Sequence, residues 1–263
     1  MTDIARCRPP LYNATRPNAH RVPTSARVVI VHGSMDSSAS FARVEDRLPD
    51  LNVTRYDRRG YGRSRHPGDD ALDVAGHVED LVSVLGDDPA VVLGHSFGGV
   101  IALAAAATAP DLVRGVVAYE APMPWAPWWP EVPLPESLDC DRGELDRAAE
   151  TFMRRAMGTE RWDELPSDKK GSFLASAPAW ATELWSAVHG IPAPYHPARI
   201  RVPVVSAYGT ATDPRHTRAA RVLAAEVRGA KLVQIDGADH VVHRRRPDPL
   251  ADLIRQLDAE CAA

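Results

Sequence analysis

The chain of 263 residues has only three cysteines, Cys7, Cys140 and Cys261. An odd number of widely separated thiols, with no Cys-x-x-Cys pair, excludes a disulfide framework and the common zinc spacings. No metal or cofactor is therefore expected. An excess of charge of one sign is also missing: 31 Lys and Arg stand against 35 Asp and Glu, for a net −4. That balance speaks against a nucleic-acid groove and against a polybasic membrane surface, and Arg244-Arg245-Arg246 reads as a solvated loop. No apolar run reaches the length of a membrane span. The start of the chain, with Asp3, Arg6, Arg8 and Arg16, holds no apolar core of signal-peptide length, so a cytoplasmic location is expected. Repeats are absent. The partner this leaves is a small molecule, with no nucleic acid and no membrane, and the oligomeric state stays open.

What is present is a chain of the size of one large α/β domain with room for an insertion. Residues 1–26 are polar and proline-containing, an irregular arm with one short strand. Arg27–Val31 is apolar on both faces, as a central strand of a parallel sheet is. A helix is expected over 38–48 and a strand over 51–56. Val74, Val78, Leu81, Val82 and Leu85 are spaced for a helix that Asp73 caps and Gly86 ends. A strand at 90–93, a helix at 98–109 closed by Pro110, and a strand at 113–119 follow. After Pro122 the proline-rich run Met123–Pro130 cannot lie inside a sheet. Helical patterns return at 143–157, 167–176 and 179–189, and strand and helix alternate again at 202–208, 215–228, 231–235 and 248–259. Alternation on both sides of one helical interruption predicts an α/β fold, a doubly wound and mostly parallel sheet. The core would comprise 1–121 and 199–263, with a helical cap or lid inserted at 122–198.

The most informative stretch is Ala90–Leu103, where an apolar strand enters Gly94-His95-Ser96-Phe97-Gly98 and an alanine-rich helix leaves it. A serine on a sharp strand-to-helix turn has its hydroxyl exposed above the sheet. Ligands in such a sheet bind past the carboxyl ends of the strands. Those ends carry His32-Gly33-Ser34-Met35, Ser96, Glu120, Asp213 and Asp239-His240. A serine hydroxyl needs a base to take its proton. His240 is the candidate, because its loop leaves the last strand toward the turn and should bring the imidazole within a hydrogen bond of Ser96. His95 is expected to face away, and His20, His66, His77, His189, His196, His216 and His243 to be surface or loop residues.

With His32-Gly33, Tyr56-Asp57-Arg58-Arg59-Gly60-Tyr61-Gly62-Arg63-Ser64, the Ser96 turn, Asp213 and His240 in this order, the chain resembles a serine-nucleophile α/β-hydrolase with a small helical cap. The resemblance implies a catalytic triad of serine, acid and histidine. Asp213 follows strand 202–208 as the family acid does, but one residue late, with Thr212 in the usual Gly-x-x-Asp position. Tyr119-Glu120-Ala121-Pro122 resembles a branch in which the glutamate replaces that aspartate, so Asp213 and Glu120 both stand as candidates. The oxyanion donors would be the backbone N–H groups of Ser34 and Phe97. Met35 would line the acyl side, and among the six tryptophans, all in the inserted segment, Trp125, Trp128 and Trp129 could form a pocket wall. Trp162, Trp180 and Trp185, at helical positions, read as packing residues. The charged turn Asp57–Gly62 lacks the Gly-Lys-Ser/Thr of a phosphate loop and reads as a knot beneath the site.

The expected activity is a cofactor-free esterase-like serine hydrolase acting on a small to medium, largely apolar ester, thioester or lactone. Two rivals remain: C–C hydrolysis or perhydrolysis at the same residues, and a ligand-binding relative with little turnover.

Overall fold

Alternation of apolar residues decides where each strand of the sheet lies. In the computed structural model, which describes residues 10–15, 26–66, 72–190 and 193–262, seven strands form one sheet. They are β1 (Asn13–Thr15), β2 (Arg27–Val31), β3 (Asn52–Tyr56), β4 (Ala90–His95), β5 (Val113–Tyr119), β6 (Val204–Gly209) and β7 (Lys231–Ile235). Their order is β1-β3-β2-β4-β5-β6-β7. β1 is antiparallel to β3 and the other pairs are parallel. Every residue of the central β4 is buried. The edge strand β7, whose Lys231 and Leu232 are exposed, is buried only at Ile235. Cys7, His20 and most of the N-terminal arm lie outside the described residues.

Successive side chains of a strand point to opposite faces, so the sheet sorts its apolar residues into two cores. Val29, Val31, Val92 and Val116 meet Leu81 and Leu85 of α2 (Val74–Leu85) and Val100 and Ile101 of α3 (Phe97–Thr108). On the other face Val28, Ile30, Val91, Leu93 and Val117 meet Phe41, Val44 and the α10 residues Leu250, Leu253, Ile254 and Leu257. α10 spans Asp248–Ala262, and Val44 lies on the one-turn α1 (Ala42–Glu45). The helix expected over 38–48 is thus shorter: a 3-10 turn, Ser38–Phe41, runs into α1. Asp73 does cap α2, accepting from Gly76 N at 2.8 Å, and Gly86 ends it at φ 57°.

Between β5 and β6 the described residues hold an irregular stretch over 120–141, then α4 (Arg142–Met157), α5 (Thr159–Asp163), α6 (Ser167–Leu174), α7 (Ala177–His189) and a 3-10 turn at Pro197–Arg199, with no strand among them. Pro178 stands in the first turn of α7, where its missing N–H costs nothing, so that helix begins two residues before the 179 expected. Trp162 and Trp180 are fully buried within this segment. α8 (Pro214–Glu226) and the short α9 (Val242–Arg245) complete the chain order before α10.

α3 can start where it does because glycines let it press onto the sheet. A Cβ on Gly98 would lie 2.2 Å from the Val31 carbonyl oxygen and 2.6 Å from that of His32. Neither backbone group can retreat. Gly98→Ala is therefore expected to lower stability by about 3 kcal/mol or more. Gly171→Ala, in α6 with nothing within 4 Å of the new carbon, should be neutral or gain up to about 1 kcal/mol. Urea unfolding of the two variants beside the wild type checks the contrast.

Candidate active site

Among the described residues, three that are not glycine have a positive φ: Met35 at 55°, Ser96 at 52° and Glu120 at 51°. They follow the ends of β2, β4 and β5, three neighbours in the sheet. Such angles cost roughly 1–3 kcal/mol each and persist only where surrounding structure enforces them. The enforcement is visible. Ser96 N donates to Tyr119 O at 2.9 Å, and Glu120 N donates to Ala207 O at 2.8 Å. Gly99 N donates back to Ser96 O at 2.8 Å. The turn thus holds Ser96 between β4 and the N-terminus of α3, whose first N–H groups have no helical acceptor.

Glu120 is fully buried, and each of its carboxylate oxygens is used. Oε1 accepts from Gly209 N at 3.0 Å. Oε2 accepts from the Thr212 hydroxyl at 2.9 Å and from His240 Nδ1 at 2.6 Å. A carboxylate can only accept, so Nδ1 carries the ring proton and Nε2 keeps a lone pair. Asp213 does not take part. It caps α8, accepting from Arg215 N at 3.0 Å, with its side chain half exposed at the cavity edge. Thr212, in the place where the family pattern has the acid, supports Glu120 instead.

The loop carrying His240 is tied down from below. As expected, His95 faces away from the cavity, whose wall it does not join, and it lies instead under the His240 loop. Its Nε2 meets the His240 carbonyl oxygen at 2.7 Å, and the Tyr119 hydroxyl donates to Asp239 O at 2.7 Å. Burial, and then the neighbouring His243 and His240, hold His95 well below the ordinary histidine range, so it acts as a neutral donor. Three histidines expected at the surface or in loops, His77, His216 and His243, are buried. His243 stacks on Phe41 at 4.3 Å. His216 stacks on His240, with ring centres 4.6 Å apart and planes at 21°. Burial first, and then its neighbours His240 and Arg215, hold it well below the ordinary histidine range.

Glu120, His216 and His240 present ligand atoms within 4.8 Å of one another, a set that could in principle meet a metal ion. Stacked rings, however, carry their in-plane lone pairs side by side rather than converging. Glu120 is also already committed to three donors. The arrangement suits proton handling better than ligation.

Ser96 and His240 line one cavity of about 390 Å³, together with Ser34, Phe97, Trp129, Phe152 and Leu184. Trp125 and Trp128 are not in its wall. The first packs edge-on against Tyr195, and the second lies under the Arg218 guanidinium at 4.4 Å. Met35 packs in the core instead. Nor is the wall largely apolar, since Arg155, Arg161, Arg215 and Arg245 all reach it.

Behind Ser34 lies a buried network that the sequence reading did not single out. Glu183 of α7 accepts at Oε1 from the Ser34 hydroxyl (2.5 Å) and the Tyr61 hydroxyl (2.6 Å), and at Oε2 from Arg58 Nη1 (2.5 Å). Burial opposes its charge, but the Arg58 guanidinium outweighs that and holds the carboxyl down at about 2. His77 Nε2 is 3.3 Å from Oε2, outside hydrogen-bond geometry. Burial keeps His77 below its ordinary range, so it is a neutral neighbour rather than an ion-pair partner. The signal for Glu183 was a lone acid at helical spacing from Trp180 and Ala187, on the buried face of α7.

This order of motifs, this sheet and this site have counterparts. The model of the alpha/beta hydrolase family matches residues 28–253, and the chain belongs to that family. Lipase LipV of Mycobacterium tuberculosis is 37% identical over 95 residues, 35% of this chain and 36% of that protein. Esterase YbfF of Escherichia coli is 33% identical over 112 residues, 40% and 41% of the two chains. The matches thus span little more than a third of these curated relatives. Among solved structures, a lipase-esterase related protein from Clostridium acetobutylicum superposes with TM-score 0.66 at 17% identity, covering 94% of this chain and 99% of that one. The enol-lactonase from Burkholderia xenovorans gives TM-score 0.66 at 21% identity, covering 94% and 95%. At such identities these structures share the fold. Among the described residues, no helix is long and apolar enough to cross a membrane.

A depressed carboxylate stabilises the folded state above its unfolded pKa, and that stability is lost as pH falls through the folded value. For Glu183 the window runs from the ordinary glutamate value of 4.5 down to about 2. The wild type is therefore expected to exceed Glu183→Gln in stability by a constant margin above about pH 5. The margin should shrink as pH falls toward 2. Denaturant midpoints at several pH values check this, and a margin that does not shrink on acidification counts against it.

Proposed function

We propose that the protein is a serine hydrolase that works without a cofactor. Ser96 is the nucleophile, His240 the general base and Glu120 the triad acid, and the helical segment between β5 and β6 serves as a cap. The observation that carries this reading is the 2.6 Å hydrogen bond between His240 Nδ1 and Glu120 Oε2, beside a cavity shared by His240 and Ser96. With Nδ1 protonated, Nε2 is the nitrogen left to take the Ser96 proton as Oγ attacks a carbonyl carbon. The negative charge that develops on the carbonyl oxygen meets the backbone N–H groups of Ser34 and Phe97, each worth a few kcal/mol of barrier. Imidazolium then protonates the leaving group, which departs and leaves an acyl-Ser96. Water attacks this ester with His240 as base, releasing the acid and restoring the hydroxyl.

The substrate class that fits is a small to medium ester, thioester or lactone with an apolar acyl part against Phe97, Trp129, Phe152 and Leu184. A second reading is favoured by one observation. Arg155 and Arg161 reach the same cavity without an ion pair among the described residues, which suits a substrate with a carboxylate at its outer end. Neutral and half-acid esters of equal length, assayed side by side, separate the two.

Three substitutions test the triad. Ser96→Ala should abolish turnover and labelling by a fluorophosphonate probe. Glu120→Gln should lower kcat about 10³-fold or more, because the imidazole loses the partner that fixes its tautomer. Asp213→Asn should stay within about threefold of wild type, since an exposed helix cap acts only on stability. A large loss in Asp213→Asn with Glu120→Gln unaffected would overturn the assignment of the acid.

A further inference from the structure

The cavity, the histidine stack and the charged turn belong to the site described above, but the Glu183 network reaches beyond it. We propose that Glu183 is a positioning residue for the reaction, holding the loop that offers the Ser34 N–H to the substrate's developing oxyanion. The inference rests on the serine-hydrolase reading and adds a residue from the inserted helical segment.

The geometry is specific. Glu183 has no exposed surface, and one carboxylate oxygen receives the Ser34 and Tyr61 hydroxyls while the other receives Arg58. Arg58 in turn holds the residues just before Ser34. Its Nε donates to His32 O at 2.9 Å and its backbone N–H to His32 Nε2 at 2.9 Å. The His32 ring then donates from Nδ1 to Gly33 O at 2.8 Å. His32, Gly33 and Ser34 are therefore all held by one carboxylate–guanidinium pair or by its immediate partner. Next in the chain, Met35 sits at φ 55°, a strained angle that needs enforcement from its surroundings. The loop also touches the nucleophile's turn, since a Cβ on Gly33 would lie 2.9 Å from Ser96 Cβ. A small slip of Ser34 would thus move an oxyanion donor relative to Ser96, and misplacement of about 1 Å can cost two orders of magnitude in rate.

A buried ion pair is weak evidence for a purely stabilising role, because apolar residues of similar volume often fold as well, but that alone does not tie it to the reaction. What points to the reaction is the third donor. The Ser34 hydroxyl spends its hydrogen bond on Glu183 rather than on the cavity it lines. That tie fixes a backbone N–H without being needed to neutralise either charge.

The test uses the full chain and p-nitrophenyl butyrate, with fluorophosphonate labelling of Ser96 in the wild type as the check on the underlying reading. Ser34→Ala keeps the backbone N–H, Arg58 and Tyr61, and removes only the tie. It is expected to lower kcat at least about tenfold with KM within about threefold, while the protein stays folded with a melting temperature lower by several degrees for the lost charge-assisted bond. Ser34→Thr, which keeps a hydroxyl, should recover most of the loss. Tyr61→Phe removes the other donor to the same oxygen without touching the loop, and should keep kcat within about threefold. Where Glu183→Leu folds, adding Ser34→Ala to it should cost nothing further, because leucine has no acceptor and the tie is already broken. A hydroxyl acting directly on the substrate would instead give an additional loss. The proposal is overturned if Ser34→Ala keeps wild-type kcat, or if Tyr61→Phe loses as much as Ser34→Ala does. If the wild type is neither labelled nor active, it is the serine-hydrolase reading that fails.

Discussion

A carboxylate with no exposed surface at the end of a parallel strand must find donors or lose its charge. Glu120 finds three, from a backbone amide, a threonine hydroxyl and an imidazole. Each comes from a different segment: the end of β6, the loop after it, and the loop after β7. Satisfying one buried charge therefore gathers the strand ends that make the site. The strained angle at Glu120 follows from the same demand, because the residue must turn its side chain toward β6 while its own N–H stays bonded to Ala207.

Close backbone approach is the second constraint, and it serves the first. Glycine at 94, 98 and 99 lets α3 start directly against β2 and β4, and glycine at 209 lets Ala238 come within van der Waals reach of β6. The last of these matters for His240, two residues further on, whose position depends on how near its loop can come to the sheet. His95 and Tyr119 then fix that loop through its carbonyl groups. Small residues supply proximity, and buried polar residues convert it into orientation.

Much of this was legible in the order of residues. The strands at 27–31, 113–119 and 231–235 have the bounds expected, the first two because runs rich in buried valine leave little choice, the last because Leu232, Val233 and Ile235 stand between the Gly229-Ala230 turn and Asp236-Gly237. That Ser96 and His240 come to one cavity was legible for another reason: a strand-to-helix turn and a late histidine are local patterns. The choice between Asp213 and Glu120 was not. Both lie just past strands, and only the direction of each side chain separates them. Chain spacing favours Asp213, yet the proline after it starts a helix that draws the aspartate into capping. Glu183 was hidden for a related reason. Its partners stand 122 to 149 positions away in the chain, and no local pattern records such a distance. His216 and His243 escaped likewise, since a lone histidine in a polar stretch carries no sign of burial.

The central claim is that Glu120, not Asp213, holds the imidazole of His240 in the tautomer that Ser96 needs. The most direct measurement is the NMR resonance of the His240 Nδ1 proton, which a short hydrogen bond to a buried carboxylate shifts far downfield. The account predicts that this signal is present in the wild type and unchanged in Asp213→Asn, and that it moves back toward the ordinary imidazole position in Glu120→Gln. A signal that survives in Glu120→Gln and moves in Asp213→Asn would contradict it.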